Sequence, residues 1–513
     1  KIKCFFGTAV IMLTLGLLLV LFGLYLGFYY IKKDEKRNKL SKLKSVSSLP
    51  LIGHVHKLGW TKEEFLPALE KMWIECGRDK FLLKVGLSDQ VVITKPDDVE
   101  VLLSSQTQLE KNELYENYKE LSGESIITHE RTRWRHLRKV LSPAFSYKFL
   151  AGYMTVFRDE VGVLMADIEA KLNEDIDIFP IFYNRALQTV CRAGMGFDFN
   201  ENENFENYIK VLNVAITLVN GRIFSAWKSI SWIYYLSREG KLFKDTVKEL
   251  RNIKEKIINL KKKELRVEII DVHNGKQTLD DIIKPKKVIT FMNLLLLSKT
   301  SEGTMFTNDE IISELITLTF AGHETVATVA AFTAYCLALN PKIQENAFAE
   351  QLALTGCELT KQITMNDLLK MKYLECVIKE AMRLFCPTVF FGRLLTEDTV
   401  LKDGVELPAG TNVLFLPFFS HKDPTVFPEP DKFDPTRYMN NHPNQYTYYP
   451  FSAGPRNCIG VKWALMEIKF WLASILRNYI FLPSEGVEPK LIVEVVLKSQ
   501  TGVNVRCKRR IIE

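Results

Sequence analysis

The 513-residue sequence has few cysteines for its length and none of them pair in sequence. The nine (Cys4, Cys76, Cys191, Cys336, Cys357, Cys376, Cys386, Cys458 and Cys507) form no CxxC motif. An odd, sparse set of this kind argues against a disulfide framework or a structural zinc site and for a reducing compartment. Internal repeats and long low-complexity tracts are also missing, which excludes a solenoid. With 47% hydrophobic and 25% charged residues, the composition is that of a globular chain with a large core. The net charge of +7 is localised. Residues 241–290 hold fourteen Lys or Arg against eight Asp or Glu, without aromatic interleaving or a nucleic-acid motif. They read as a solvated helical surface, and nucleic acid is not an expected partner. A second long apolar run is missing too, so the chain is not polytopic.

One such run is present. Residues 4–31 carry no charge, which is long enough to cross a bilayer core. Residues 32–44 then hold seven Lys or Arg against two Asp or Glu. The heavier basic side follows the span, so the bulk of the chain is expected on the cytosolic side. The run is too long for a signal-peptide core, and no small-residue cleavage site precedes the basic cluster. The expected organisation is a transmembrane anchor at 4–31, a basic linker at 32–53 and a catalytic domain at 54–513. Pro50 is the only proline of the linker.

Helical periodicity dominates up to Phe385. Residues 308–339 read as one long helix with Asn308 as N-cap and Pro341 just past its end. Residues 365–385 read as another, capped by Asn366 and stopped by Pro387. β-like runs lie at 81–95, with a turn at Ser88–Asp89, and at 389–418. Gly and Pro then punctuate a long irregular stretch ahead of Cys458. Such a stretch is uncommon without a function, and it points to a buried cofactor near 450–460.

The segment from Phe451 to Gly460 reads Phe-Ser-Ala-Gly-Pro-Arg-Asn-Cys-Ile-Gly, and an apolar helical pattern follows. A thiolate at a helix N-terminus is stabilised by the helix dipole and backbone N–H groups. Gly454 and Gly460 allow close backbone approach to a flat ligand. Arg456 suits a carboxylate, and Phe451 places an aromatic face beside the sulfur. An inert buried cysteine would not need this fixed pattern.

The pattern resembles the haem loop of the cytochrome P450 family, Phe-x-x-Gly-x-Arg-x-Cys-x-Gly, at every fixed position. The resemblance implies a mainly α fold with small β-sheets, haem b (heme, iron-protoporphyrin IX), and Cys458 as the axial iron ligand. Further segments match in the family's order. Glu380 and Arg383, at i and i+3 on one helix face, with Arg437 from a later loop, resemble the family's structural network. Ala321-Gly322-His323-Glu324-Thr325 resembles its oxygen-activation motif. By that resemblance Gly322 clears space over the haem, Thr325 bonds dioxygen or water, and Glu324 is the acid partner. A Thr bonding back to the preceding helical turn is the plainer alternative. His323 is read as a packing residue. Trp134, Arg138, Arg393 and Arg456 match propionate contacts. Exposed basic residues among 131–139 either dock an acidic electron donor or are merely solvated.

Leu141-Ser142-Pro143-Ala144-Phe145 and the surroundings of Cys458 look most like the fatty-acid ω-hydroxylase branch and its insect relatives. That branch often has a Glu, able to bond covalently to a haem methyl, where this chain has Ala321. Covalent attachment by that route is not expected. The implied activity is monooxygenation of a lipophilic substrate: fatty acid, steroid or terpenoid, or xenobiotic. Electrons would come from NADPH through cytochrome P450 reductase, with cytochrome b5 as a second donor, at the endoplasmic reticulum membrane. A P450-type peroxide isomerase and a non-enzymatic membrane haem sensor or carrier are the rival readings. An acid–alcohol pair that manages protons favours the monooxygenase over both. Substrate contacts are expected from 110–130, 210–235 and 388–395.

Overall fold

One helix, Asn308–Leu339, runs through the middle of the molecule. Its N-cap is Thr307, not the expected Asn308. Thr307 Oγ1 accepts from the Glu310 N–H at 3.3 Å, and the Glu310 carboxylate accepts from the Thr307 N–H at 2.8 Å. This reciprocal capping box satisfies donors that Asn308 could not reach from inside the first turn. Pro341 opens the next helix, Pro341–Thr355, instead of merely ending the previous one. The computed structural model describes residues 38–511 apart from 60, 87, 200–204, 226–227, 229–230, 277–288, 357–360, 440–443 and 486–487. The expected anchor at 4–31 lies outside the described residues. Among those, only Asn308–Leu339 is long and apolar enough to cross a membrane, and 78% of its most apolar window is buried in protein.

Helices pack on every side of this central one. They include Phe179–Thr189, Arg238–Glu264, Lys372–Leu384 and Val461–Asn478. The expected helix at 365–385 is two: Met365–Lys370, capped by Thr364, and Lys372–Leu384. Thr364 and Asp367 make the capping box that Asn366 was expected to supply. Met371 leaves helical geometry (φ −70°, ψ 82°), which divides the two. Arg238–Glu264 buries Phe243, Leu250, Ile257 and Ile258 on one stripe and ends on Lys261, Lys262 and Lys263, where cations suit the helix dipole. The first part of the basic stretch, up to Glu264, is thus an amphipathic helix, although Lys254 is fully buried.

The sheets are small and peripheral. A four-stranded sheet runs Phe81–Val85, Ser88–Ile93, Asn412–Phe415, Phe391–Leu394. Val85 pairs with Ser88, so the turn comes directly after Val85, and Ser88 and Asp89, where it was expected, belong to the second strand. Gly86 takes the positive φ that this tight turn requires. Val91, Val92, Ile93, Val413 and Phe415 are wholly buried, which explains their unbroken apolar runs. Leu40 and Leu43 pack in the same core cluster as Leu82 and Val91, so the packed body begins ahead of residue 54.

Candidate active site

The cysteine loop is built on local bonds. The Cys458 N–H donates to Phe451 O at 2.9 Å, and the Asn457 N–H to Gly454 O at 3.2 Å. Gly454 has φ +71°, and a Cβ there would fall 1.7 Å from Leu103 O. Only glycine fits both demands. Ser452 also sits at φ +59°, strain of the kind that functional loops hold. Gly460 caps the helix Val461–Asn478. Beneath it the Trp463 ring lies among Phe145, Tyr153 and Phe157, centroids 6.2, 5.1 and 5.7 Å away.

Of the described cysteines Cys458 alone is exposed. Yet burial raises its thiol, against the opposing pull of the Gly460 N–H and the Arg138 guanidinium. The sulfur therefore presents its surface to an interior space enclosed by protein. The helix start does not by itself make a thiolate here. A metal cation deprotonates a coordinating thiol outright.

Cations gather beside this space. Arg138 donates to Asn457 O at 2.6 Å and to Asn457 Oδ1 at 2.8 Å. Arg456 reaches the carbonyls of Leu109, Ile127 and His129, and its guanidinium lies 5.2 Å from the Trp134 ring centroid. Its Nε is buried without a partner. Arg393 bonds Gly392 O and, at 3.4 Å, Arg456 O. Lys111, which the sequence did not single out, stands with Tyr115 against both arginines, its Nζ 3.3 Å from the phenol. Burial and the two guanidinium groups push Lys111 well below the usual lysine range. Burial and Arg393 likewise hold Arg456 down to about 10. Two buried guanidinium groups that bond only carbonyls, with the Lys111 amine beside them on a phenol, favour an incoming anion.

The scaffold behind the loop is fully paired. Arg383 grips Glu380 with two bonds, 2.9 and 3.0 Å, and both side chains are wholly buried. Arg437 adds 3.2 Å to the same carboxylate, and the Asp434 N–H adds 3.0 Å. Arg383 also holds the carbonyls of His421 and Lys432.

On the central helix Ala321 is exposed within a buried run, and Thr325 lies one turn on, on the same face. Thr325 Oγ1 donates to Ala321 O at 2.8 Å, the back-bonded arrangement. Gly322 was expected to clear space for the haem. A Cβ there would come 3.0 Å from Val190 Cγ2, so the room it makes is taken by the π-turn Val190–Met195. Glu324 does not bond Thr325. Its carboxyl is 2.6 Å from Lys498 Nζ, on a C-terminal hairpin that no motif marked. Burial raises Glu324, and Lys498 partly offsets the rise. His323 packs edge-on to Tyr183, centroids 4.6 Å apart, and burial lowers its imidazole to about 3.

The sequence profile of the family described as "Cytochrome P450" matches residues 44–505. The chain belongs to the cytochrome P450 family. It is 31% identical to "Probable cytochrome P450 4e1" of Drosophila melanogaster, over 93% of this chain and 95% of that one. It is 32% identical to "Cytochrome P450 4c21" of Blattella germanica, over 88% and 90%. It is 30% identical to "Cytochrome P450 4V2" of Mus musculus, over 92% and 91%. These insect and rodent relatives all carry the group-4 designation, in line with the branch read from the sequence.

P450 enzymes are haem-dependent monooxygenases, and the residues present fit that group. A flat iron porphyrin with two carboxylates needs a thiol facing an enclosed space and unneutralised cations at its edge. Cys458 supplies the first, and Arg456 with its partnerless Nε, Arg393 and Lys111 supply the second. Lys111 was overlooked because a lysine in a 3-10 and loop segment reads as surface until Arg393 and Arg456 are folded against it.

Proposed function

We propose that this P450 is a membrane-anchored monooxygenase that inserts one oxygen atom from O2 into a lipophilic substrate, using NADPH electrons delivered by cytochrome P450 reductase. The observation that carries this reading is the facing of Cys458 into enclosed space beside the Lys111, Arg393 and Arg456 cluster. When bound, haem would supply oxygen activation at a thiolate-ligated iron. The chain's own residues do the rest. Cys458 holds the metal. Trp134, Arg138, Arg393, Arg456 and Lys111 hold the carboxylates. Phe451 covers the sulfur side, and Gly454 lets the loop lie close to Leu103. Thr325 offers a hydroxyl, and Glu324 holds a proton behind it.

The apolar approach supports a lipophilic substrate. Phe65 lies 5.1 Å from Phe224 and 6.3 Å from Phe390, centroid to centroid. Tyr118 lies 4.8 Å from Phe320 of the central helix. Tyr118, Phe224 and Phe390 come from the three segments expected to contact substrate, and Phe65 and Phe320 join them. A fatty acid, steroid, terpenoid or apolar xenobiotic would each meet the same aromatic wall. On the outside, Arg135 and Lys139 are exposed on one face of the helix Arg131–Leu141 and support docking of an acidic reductase or cytochrome b5; Arg133, on the opposite side, is paired with Glu310. Exposed Leu49, Leu51, Ile52, Trp232 and Leu236 support contact with lipid.

The reduced CO spectrum tests the centre of this reading. A Soret band near ~450 nm is expected for a thiolate ligand, and its absence overturns the assignment. With reductase, NADPH oxidation should track product in a lipid turnover screen. Product formed from a peroxide without NADPH would favour the isomerase, and no turnover a carrier. The expected location is the endoplasmic reticulum, single-pass, with the catalytic body cytosolic. A 29% identical relative from Drosophila mettleri is named mitochondrial, so fractionation of the full chain decides between two membranes.

A further inference from the structure

The acid Glu324 is tied to a chain of charges that leads out of the protein. Lys498 Nζ sits 2.6 Å from Glu324 and 3.0 Å from Glu494 Oε2. Glu494 in turn meets Lys62 Nζ at 2.6 Å and accepts from Asn220 Nδ2 at 3.2 Å. The chain runs from a buried end, Glu324 at 2% exposure, through Lys498 at 21% and Glu494 at 15%, to an exposed end, Lys62 at 41%. The chain alternates in sign and is neutral as a whole. One ammonium therefore serves two carboxylates. It can shift its weight between them by side-chain rotation while the backbone stays still.

The backbone has reason to stay still. Lys498 lies in the hairpin Leu491–Val493 and Leu497–Ser499. That hairpin is fastened to the body by the Leu497 N–H on Pro387 O at 2.8 Å and by Thr328 Oγ1 on Leu497 O at 3.4 Å. Meanwhile Thr325 Oγ1 is spent on Ala321 O. The acid and the alcohol each hold another partner. A proton passes between them only after both let go.

We propose that Lys498 is a positioning residue that gates proton supply in this P450. Bridged between Glu324 and Glu494, it holds the acid on the hairpin side. Moved fully onto Glu494, it frees the carboxyl to turn toward Thr325. The proposal rests on the monooxygenase reading, since only that chemistry needs the proton. In the step itself only O–H bonds change. The freed carboxyl gives its proton to the Thr325 hydroxyl oxygen as that hydroxyl passes its own proton on, and the carboxylate left behind is reprotonated from solvent, so each O–H bond broken is matched by one formed. Lys498 stays an ammonium throughout, and no electron moves.

Other charges bear on Glu324. Glu494 opposes its ionisation from the hairpin. Tyr183, on the helix Phe179–Thr189, has its phenol raised by burial and by both carboxylates, so it stays neutral. His323 is held neutral by burial. Lys498 is thus the one cation against the acid among the described residues.

The test uses the full-length holoenzyme with Lys498→Met, Lys498→Arg and Glu494→Gln. Glu324 is titrated by the infrared carbonyl band of its protonated carboxyl, assigned with Glu324→Gln. Lys498→Met should move that titration to higher pH by about one unit or more. Lys498→Arg should restore it. Glu494→Gln, which leaves Lys498 wholly on Glu324, should move it to lower pH. The pH profile of kcat should shift with the same signs while KM for substrate holds. Opposite shifts from the two neutralising variants are not produced by general damage to the fold. An unmoved titration, or shifts of one sign in both variants, overturns the proposal. If the wild-type holoenzyme makes no product with reductase, the monooxygenase reading fails instead, and the infrared titrations still decide whether Lys498 controls Glu324.

Discussion

The cysteine side of this P450 and its central-helix side are held in opposite ways. Behind Cys458, Glu380, Arg383 and Arg437 form a closed set in which every bond has a fixed partner. Across from it, Lys498 divides itself between two carboxylates and Thr325 bonds its own helix. The first arrangement has one solution. The second has at least two of similar make-up. A metal ligand must be placed once and kept, whereas a proton must be received and passed on.

The largest test of this contrast strikes the fixed side. Cys458→Ser should abolish the thiolate Soret band near ~450 nm and all NADPH-coupled product, read by the reduced CO spectrum and turnover. Glu380→Gln should cost about 3–5 kcal/mol in denaturant unfolding, because it strips the buried Arg383 of its countercharge. A cost within about 0.5 kcal/mol, the range of surface substitutions, would break the contrast. Gly454→Ala should cost about 1–2 kcal/mol from the left-handed backbone alone, plus the clash with Leu103, and should lower haem retention.

A smaller effect probes a titratable group on the fixed side. Glu467, beneath the loop, donates no charge to a cation and accepts from Trp463 Nε1 at 2.8 Å. Burial lifts its carboxyl to about 8 from an ordinary 4.5. The folded chain then binds more protons than the unfolded one between these values, so this group's contribution falls as pH rises from about 4.5 to about 8. Glu467→Gln should remove that slope and raise the melting temperature at pH 8 more than at pH 5. Equal gains at both pH values would show the carboxyl to be charged in the fold. The smallest expected stability change lies on the open side. Phe224→Ala should lower stability by only on the order of 1 kcal/mol. It should nonetheless change kcat/KM among lipophilic substrates by about 10-fold through the lost wall contact with Phe65 and Phe390.

Legibility followed the same division. The cysteine loop stood out because its pattern is local, with Cys458 two residues before the Gly460 cap; Gly454 reads in the sequence as room for a flat ligand, whereas its positive φ and the approach of Leu103 O are what require glycine there. The Glu380–Arg383 pair could be read because i and i+3 share a helix face. Helix ends were less legible. Thr307 and Thr364 took the caps expected of Asn308 and Asn366, since the acidic partner three residues on decides which residue closes the box. That Gly322 lies against Val190 was not legible, because which face of a buried helix meets Val190 depends on how Val190–Met195 packs.

Lys111 and Lys498 mark the limit most clearly. Each is one of many lysines in a basic chain, and neither lies in a motif. Their meaning comes from groups far along the sequence: Arg393 and Arg456 for one, Glu324 for the other. By itself the sequence determined the family and singled out the Cys458 loop and the Glu380–Arg383 pair, because those rest on short-range spacing. The tertiary structure alone decided which cations stand without countercharge and which carboxyl is held by which ammonium. Those depend on distance and burial between segments that only folding brings together.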